Sequence, residues 1–248
     1  MPPLSTAQWL LAVAGALGLG ISKAGFPGMS LLHVVVFAFI FGARTSTGII
    51  LPMLIAADVV AVRAFRQHAQ WVYIRRMLPA TIVGVLLGFA LMGRLDESLF
   101  EPIIGTIVLV LIVLQVARMA RPGLFADVPH SHVFAWTMGL LAGITTMLAN
   151  AAGPIFVLYA LAVGLPKYEL VGTGALFFFI VNLSKVPLSA ALGLIGPQTL
   201  SLNLVLLPVV FSGIAIGRWL TYRIPQGLFD SLLLAFAAVA ALRLLGVW

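Results

Sequence analysis

The sequence has no cysteine and very little charge. Of its 248 residues only 8% are charged, and just seven are acidic. A chain without cysteine forms no disulfide framework, iron–sulfur cluster or zinc–thiolate site, and we expect neither a metal nor a cofactor. Soluble domains carry about 25% charged residues. The scarcity of charge therefore excludes an ordinary soluble fold.

Apolar residues take the place of the missing charges. They make up 62% of the chain, and the mean hydropathy is +1.16. No segment alternates polar and apolar residues as the strands of an outer-membrane barrel do. The net charge of +7 comes from basic residues in short loops, which is the positive-inside pattern rather than a nucleic-acid-binding face. We predict an all-α polytopic membrane protein that has the lipid bilayer, and no nucleic acid, as a partner.

Ten apolar segments follow one another along the chain. A polar connection over residues 121–132 divides a single transmembrane domain, residues 1–248, into repeats of about residues 8–120 and 132–246. The predicted segments are Gln8–Ile21, Met29–Phe41, Thr45–Val62, Met77–Met92 and Phe100–Ala117, then His132–Ala149, Pro154–Val163, Tyr168–Leu192, Leu200–Leu220 and Gln226–Leu245.

The two halves repeat each other in sequence. Six residues recur at an offset of 129, namely Pro79, Gly84, Gly88, Arg94, Leu99 and Phe100 as Pro208, Gly213, Gly217, Arg223, Leu228 and Phe229. Five segments per half is an odd number, so the second half should enter the membrane in the opposite orientation. The loop Arg63–Arg76 holds four arginines, whereas the equivalent residues 193–200 carry no charge. We predict two inverted repeats, with both termini extracytoplasmic.

The stretch Gly20–Ser30 breaks the first apolar run. It contains three glycines, a proline and Lys23, and the helical pieces on either side are too short to cross a hydrocarbon core of about 30 Å. Non-helical backbone at that depth must be buried in protein or line a polar cavity, and a lysine there is costly and usually functional. We predict a broken helical hairpin with a binding site at its tip. The alternative is a surface loop with Lys23 among the headgroups.

A second break, Met147–Pro154, mirrors the first. Half-helices should begin near Gly28 and Gly153, each with backbone N–H groups that lack helical partners and with the positive end of a helix dipole. If the two hairpins enter from opposite sides, these ends meet near the midplane of the membrane. Together with a lysine they would form a site for a small anion.

Further polar residues lie inside the apolar segments. Asn182 and Lys185 are three positions apart and share a helix face. We expect Lys185, and to a lesser degree Lys23, to supply positive charge to an anion; Lys185 could instead extend to the membrane interface. Asp58, the one acid well inside a segment, either couples transport to a proton or pairs with nearby arginines.

The remaining candidates are hydroxyl, imidazole and amide groups near the breaks. His33, one turn into its half-helix, either touches the site or bonds a neighbouring helix. Thr47 and Thr173 each place a hydroxyl beside a glycine, and glycines at helix contacts usually serve packing. The candidate substrate-binding residues are Lys23, Gly25, Gly28, Ser30, His33, Thr47, Asn150, Gly153, Thr173, Asn182 and Lys185, with Asp58 as the coupling candidate.

The segment Gly172–Pro187, in which a Phe-rich run precedes Asn-Leu-Ser-Lys-Val-Pro, resembles the second-half signature of the sulfite exporter TauE/SafE family. The break at Gly20–Gly28, followed by an apolar run and Ala43–Thr47, resembles the first-half signature. The five-plus-five layout is also that of the family. The resemblance implies an inner-membrane permease for a small sulfur-containing anion such as sulfite or an organosulfonate.

Three other functions compete with a transporter. An anion channel would share the same site. An intramembrane enzyme would need a nucleophile with a placed base, and Ser30 with His33 is the one nearby hydroxyl–imidazole pair at helical spacing. A structural membrane subunit is the third. The coupling ion, a proton or sodium, and the formation of a homodimer stay open.

Overall fold

The computed structural model describes residues 4–24, 30–121 and 131–221, and four isolated positions beyond them, 235, 238, 242 and 245. The candidates Gly25 and Gly28 lie outside the described residues, as does nearly all of the predicted segment Gln226–Leu245. Statements about the fold below concern the described part of the chain.

Within those ranges the fold is entirely helical. The helices are α1 (Thr6–Lys23), α2 (Ser30–Phe41), α3 (Ala43–Phe65), α4 (Trp71–Met92), α5 (Glu97–Ala120), α6 (His132–Ala149), α7 (Gly153–Ala162), α8 (Lys167–Ala191) and α9 (Pro197–Thr221), with a 3₁₀ turn at Arg66–His68 between α3 and α4. Five of the helices are long and apolar enough to cross a membrane: α3, α4, α6, α8 and α9. The predicted all-α polytopic class is confirmed.

Two helices are much shorter than the others. α2 has 12 residues and α7 has 10, which at about 1.5 Å per residue makes them about 18 and 15 Å long. Each follows a longer helix, α1 or α6, in the arrangement that the two sequence breaks predict. A helix of this length covers only part of a hydrocarbon core of about 30 Å.

The first break begins later than the sequence indicates. α1 continues through Lys23, and the Ser22 hydroxyl donates to the carbonyl of Leu19, 2.7 Å away. The prediction that placed Lys23 in non-helical backbone is therefore wrong: its side chain extends from the last helical turn. Gly20 suggested an early break because glycine is a poor helix former, but its backbone is helical and packs against α9.

The loop after α3 is also shorter than predicted. α4 begins at Trp71 rather than near Met77, so Arg75 and Arg76 belong to its first two turns. Two charges in the first turns reduced the apolar signal at this end. The loop itself comprises the 3₁₀ turn and the two residues after it.

Glycine pairs bring two pairs of helices into close contact. α1 packs along α9 and α4 along α6, and these are the most extensive helix contacts in the described residues. Gly20 faces Gly213 in the first pair and Gly84 faces Gly143 in the second, and a Cβ on any of the four would overlap backbone of the facing helix. Small residues permit this approach in membrane helices.

These glycine contacts agree with the repeat seen in the sequence. Gly84 and Gly213 are one of the pairs at offset 129, and each packs on the first helix of the opposite half, α6 or α1. Two repeats related by a two-fold axis would exchange partners in this way. The opposite orientation of the halves in the membrane remains a prediction.

Candidate functional site

A cavity of about 410 Å³ lies where the two short helices meet α1, α3, α6 and α8. Its polar wall comprises Ser22, Lys23, Ser30, His33, Asp58, Thr146, Asn150, Gly153 and Asn182. Its apolar wall comes mainly from α7 and α8 and includes Phe156, Val157, Leu161, Leu165, Leu170, Val171, Ala175 and Phe178. One side of the cavity can therefore bind a charged group, and the other can contact carbon.

Lys23 and Asp58 form an ion pair on the polar wall. The Lys23 Nζ lies 2.6 Å from Asp58 Oδ1, and Asn182 Nδ2 donates to the other carboxylate oxygen at 2.7 Å. The Lys23 ammonium also lies 4.9 Å from the ring centroid of Phe178, within the range of a cation–π contact. Three helices, α1, α3 and α8, are joined at Asp58, whose side chain is completely buried.

This arrangement decides two alternatives that the sequence left open. Asp58 pairs with Lys23 and not with the arginines near the end of α3. Lys23 points to the cavity rather than to the headgroups, and 16% of its side chain is exposed. The depth of Asp58 within α3 agrees with the sequence, but its partner comes from 35 residues earlier.

Lys185 has a different environment. It is 2% exposed, and its ammonium donates to the Thr146 carbonyl at 2.7 Å, to the Thr146 hydroxyl at 3.1 Å and to Asn150 Oδ1. It therefore does not extend to the membrane interface. It is also absent from the cavity wall. A cation among the last carbonyls of a helix is favourable because it meets the negative end of the helix dipole, and Lys185 caps α6 in this way.

Asn150 connects this cap to the rest of the site. It ends α6 in the left-handed conformation, with φ 53° and ψ 30°, a region that asparagine tolerates better than most residues. Its side chain accepts from Lys185 and donates to the backbone carbonyl of Thr47 at 2.9 Å. Asn150 thus positions the short connection into α7 and links the second half of the chain to α3.

The starts of the two short helices lie next to each other at the cavity. A Cβ added to Gly153, the first residue of α7, would lie 3.1 Å from the Ser30 hydroxyl at the start of α2. Pro154 stands in the first turn of α7, and the N-cap residue, Ala152, makes no side-chain capping hydrogen bond. The sequence predicted that these two helix starts would meet. His33, one turn into α2, is buried and lines the same cavity.

Thr47 and Thr173 lie outside the cavity wall. The Thr47 hydroxyl donates to the Arg44 carbonyl at 2.8 Å. The Thr173 hydroxyl accepts from the backbone N–H of Gln70 at 2.9 Å, which fastens the loop before α4 to α8. Both threonines therefore hold backbone in place at the two ends of the bundle.

Sequence reasoning missed several wall residues. Thr146, which presents its carbonyl and hydroxyl to Lys185, was not singled out, although it lies only four residues before Asn150. Phe178 belongs to the Phe-rich run of the resemblance, but its ring contact with Lys23 joins residues that are far apart in the sequence. Ser22 lies beside Lys23 and lines the cavity from α1.

The fold and the cavity define a class. Short helices that end inside the bundle, opposite one another and beside a buried charged group, are characteristic of membrane transporters. The model of the protein family described as "Sulfite exporter TauE/SafE" matches residues 10–244. The chain therefore belongs to that family. The protein is accordingly a multi-pass membrane transporter and not an enzyme. No curated protein and no solved structure matched the chain.

Proposed function

We propose that the protein is a secondary transporter for a small sulfur-containing anion, such as sulfite, an organosulfonate or a related ion, that binds in the cavity between the two short helices. The observation that carries this proposal is the position of Lys23. Its ammonium reaches a cavity between apolar helices, and the start of α7 lines the same cavity. A buried positive charge next to the positive end of a helix dipole favours an anion.

The candidate residues divide by their position. Lys23 supplies charge, and Ser30, His33, Asn150 and the backbone at Gly153 offer hydrogen bonds from the cavity wall. Gly25 and Gly28 are proposed at the other hairpin tip, outside the described residues. Thr47, Thr173 and Lys185 support the wall without lining it, and Asn182 acts through Asp58.

The size of the cavity favours a substrate with some carbon. A volume of about 410 Å³ corresponds to roughly a dozen water molecules at about 30 Å³ each. A compact ion such as sulfite fills a small part of it. Because Phe156, Phe178 and several aliphatic side chains form the opposite wall, the carbon chain of an organosulfonate would have apolar contacts there.

The cavity wall also suggests a direction of access. Ala61 near the end of α3, Leu161 near the end of α7 and Leu170 near the start of α8 form one end of the wall. The 3₁₀ turn Arg66–His68 packs on α8 at that same end. If basic loops face the cytoplasm, the cavity approaches the cytoplasmic side, and the termini lie outside in an inner-membrane protein built from inverted repeats.

Cysteine labelling tests that orientation. Gln67 in the 3₁₀ turn and Gln198 at the start of α9 are both exposed, and the inverted-repeat prediction places them on opposite sides. An impermeant thiol reagent added to intact cells should label Gln198→Cys and not Gln67→Cys. Permeabilised cells provide the control, in which both should react. The reverse pattern on intact cells would contradict the proposed orientation.

Counterflow in proteoliposomes tests the function. Unlabelled sulfite or ethanesulfonate inside the vesicles should accelerate uptake of the labelled ion, as expected for a carrier. An anion channel, the second candidate, would show no acceleration. The double variant Lys23→Met with Asp58→Asn removes the ion pair without leaving either charge alone, and it should lose uptake. Arg94→Met removes one exposed charge and should transport normally.

A further inference from the structure

The positive charge of Lys23 is already paired with a negative charge in this structure. Its ammonium lies 2.6 Å from Asp58 Oδ1, and both side chains line the cavity. An ammonium has three donors, so hydrogen-bond capacity alone does not prevent a second acceptor. The obstacle is charge. A bound anion at Lys23 would lie a few ångströms from the Asp58 carboxylate, and two like charges that close repel strongly where water is scarce.

Few charged or titratable groups surround Asp58. Lys23 on α1 and His33 on α2 line the same cavity as Asp58, and Lys185 on α8 is close enough to act on Asp58 electrostatically. From the described residues, α5, α6 and α9 place no charged or titratable group on the cavity wall. Lys185 is engaged with Thr146 and Asn150. Neutralising Asp58 is therefore the direct way to free the Lys23 ammonium for a substrate.

We propose that the Asp58 carboxylate occupies the position beside the Lys23 ammonium that the substrate anion takes when it binds. Asp58 must then take up one proton for each anion that binds. This inference rests on the proposed function. The proton comes from the aqueous side to which the cavity is open and forms an O–H bond on Asp58 Oδ1. The ion pair with Lys23 is released, and the substrate anion takes its place beside the ammonium. Asn182 continues to donate to the second oxygen, so the neutral Asp58 stays hydrogen-bonded.

On the opposite side of the membrane the steps reverse. The anion leaves, Asp58 returns its proton to water, and the Lys23–Asp58 pair forms again. One proton and one anion therefore move together in the same direction. The coupling ion is then a proton rather than sodium. The pair also keeps the empty carrier from presenting an uncompensated ammonium in the apolar interior, which would be costly.

Binding of ethanesulfonate by the full-length protein in detergent provides the test. Ethanesulfonate remains a monoanion from mildly acidic to mildly alkaline solution, so any pH dependence belongs to the protein. In weakly buffered solution the wild type should take up one proton per bound anion. Its apparent Kd should rise about tenfold per pH unit on the alkaline side, because the binding-competent fraction falls by that factor. Asp58→Asn should take up no proton and should bind with a flat pH profile.

His33→Gln tests whether the pH dependence comes from His33 rather than from Asp58. His33 lines the cavity, so its variant can bind more weakly, but it should keep the slope of the wild type. A flat profile in His33→Gln, or the wild-type slope in Asp58→Asn, would overturn the assignment to Asp58. Should Asp58→Asn fail to fold, the wild-type proton uptake decides alone, and binding without uptake refutes the proposal. Failure of the proposed function looks different: neither ethanesulfonate nor sulfite would stabilise the wild type at any pH.

Discussion

The two hairpins share a layout but differ in how each is fastened to the bundle. In each, a long helix leads to a short one, and a lysine lies at the end of the long helix. In the α1–α2 hairpin the lysine is its own Lys23, paired with the carboxylate of Asp58 on α3. In the α6–α7 hairpin it is Lys185 of α8, bonded to neutral oxygens of Thr146 and Asn150.

The lysine contacts of the two hairpins should respond differently to a proton or a bound anion. The pair at the first hairpin has a charged acceptor, so a proton on Asp58 or a competing anion at Lys23 weakens it. The cap at the second hairpin has only uncharged acceptors, which protons do not neutralise near neutral pH. Asn150 adds a bond to the Thr47 carbonyl. We infer that the second hairpin is the fixed part of the site and the first is the part that responds to substrate.

Breaking the ion pair from one side should have the largest effect on stability. Lys23→Met leaves the buried Asp58 carboxylate without its cation, and removal of one partner of a buried pair costs about 3 kcal/mol or more. We place the loss near the low end because Lys23 is partly exposed and Asp58 can be protonated. Adding Asp58→Asn should recover most of it. Thermal unfolding of wild type, both single variants and the double variant in detergent measures the coupling, and purely additive effects would contradict it.

Removing the contacts of Lys185 with the end of α6 should have a somewhat smaller effect on stability. Lys185→Met leaves the Thr146 carbonyl and Asn150 Oδ1 buried without this donor, at a cost of about 2 kcal/mol. Because Lys185 acts on the substrate through Asn150, anion affinity should fall less than in the Lys23→Met, Asp58→Asn double variant. Thermal unfolding and ethanesulfonate titration measure the two effects. Complete loss of binding in a well-folded Lys185→Met protein would show that Lys185 charge reaches the anion directly.

A larger side chain at the start of α7 should reduce transport more than stability. Gly153→Val places side-chain atoms in the cavity near the Ser30 hydroxyl and blocks approach of the anion to backbone N–H groups. Counterflow should decrease while the melting temperature changes little. Gly196→Ala is the matched control, because a Cβ there meets open space. Normal counterflow in Gly153→Val would remove the α7 start from the binding site.

The sequence predicted the positions of the helices well and their contacts poorly. α6 begins and ends at His132 and Ala149 as predicted, because the apolar run and its flanking polar residues are local signals. Lys23 was misplaced in a loop, because the glycine that marked the break serves close packing with α9. Lys185 was expected at the anion, but its ammonium bonds the end of α6 at Thr146 and Asn150 instead.

The sequence by itself determined the membrane class, the family and the two short helices, since composition, apolar length and the Gly-Pro breaks are properties of neighbouring residues. The tertiary structure alone decided which acid neutralises Lys23 and which lysine caps α6. Those partners lie 35 and 39 residues apart in the chain, on helices whose relative depth and rotation follow from packing across the whole bundle. The spacing of residues along the sequence does not indicate how those helices are rotated.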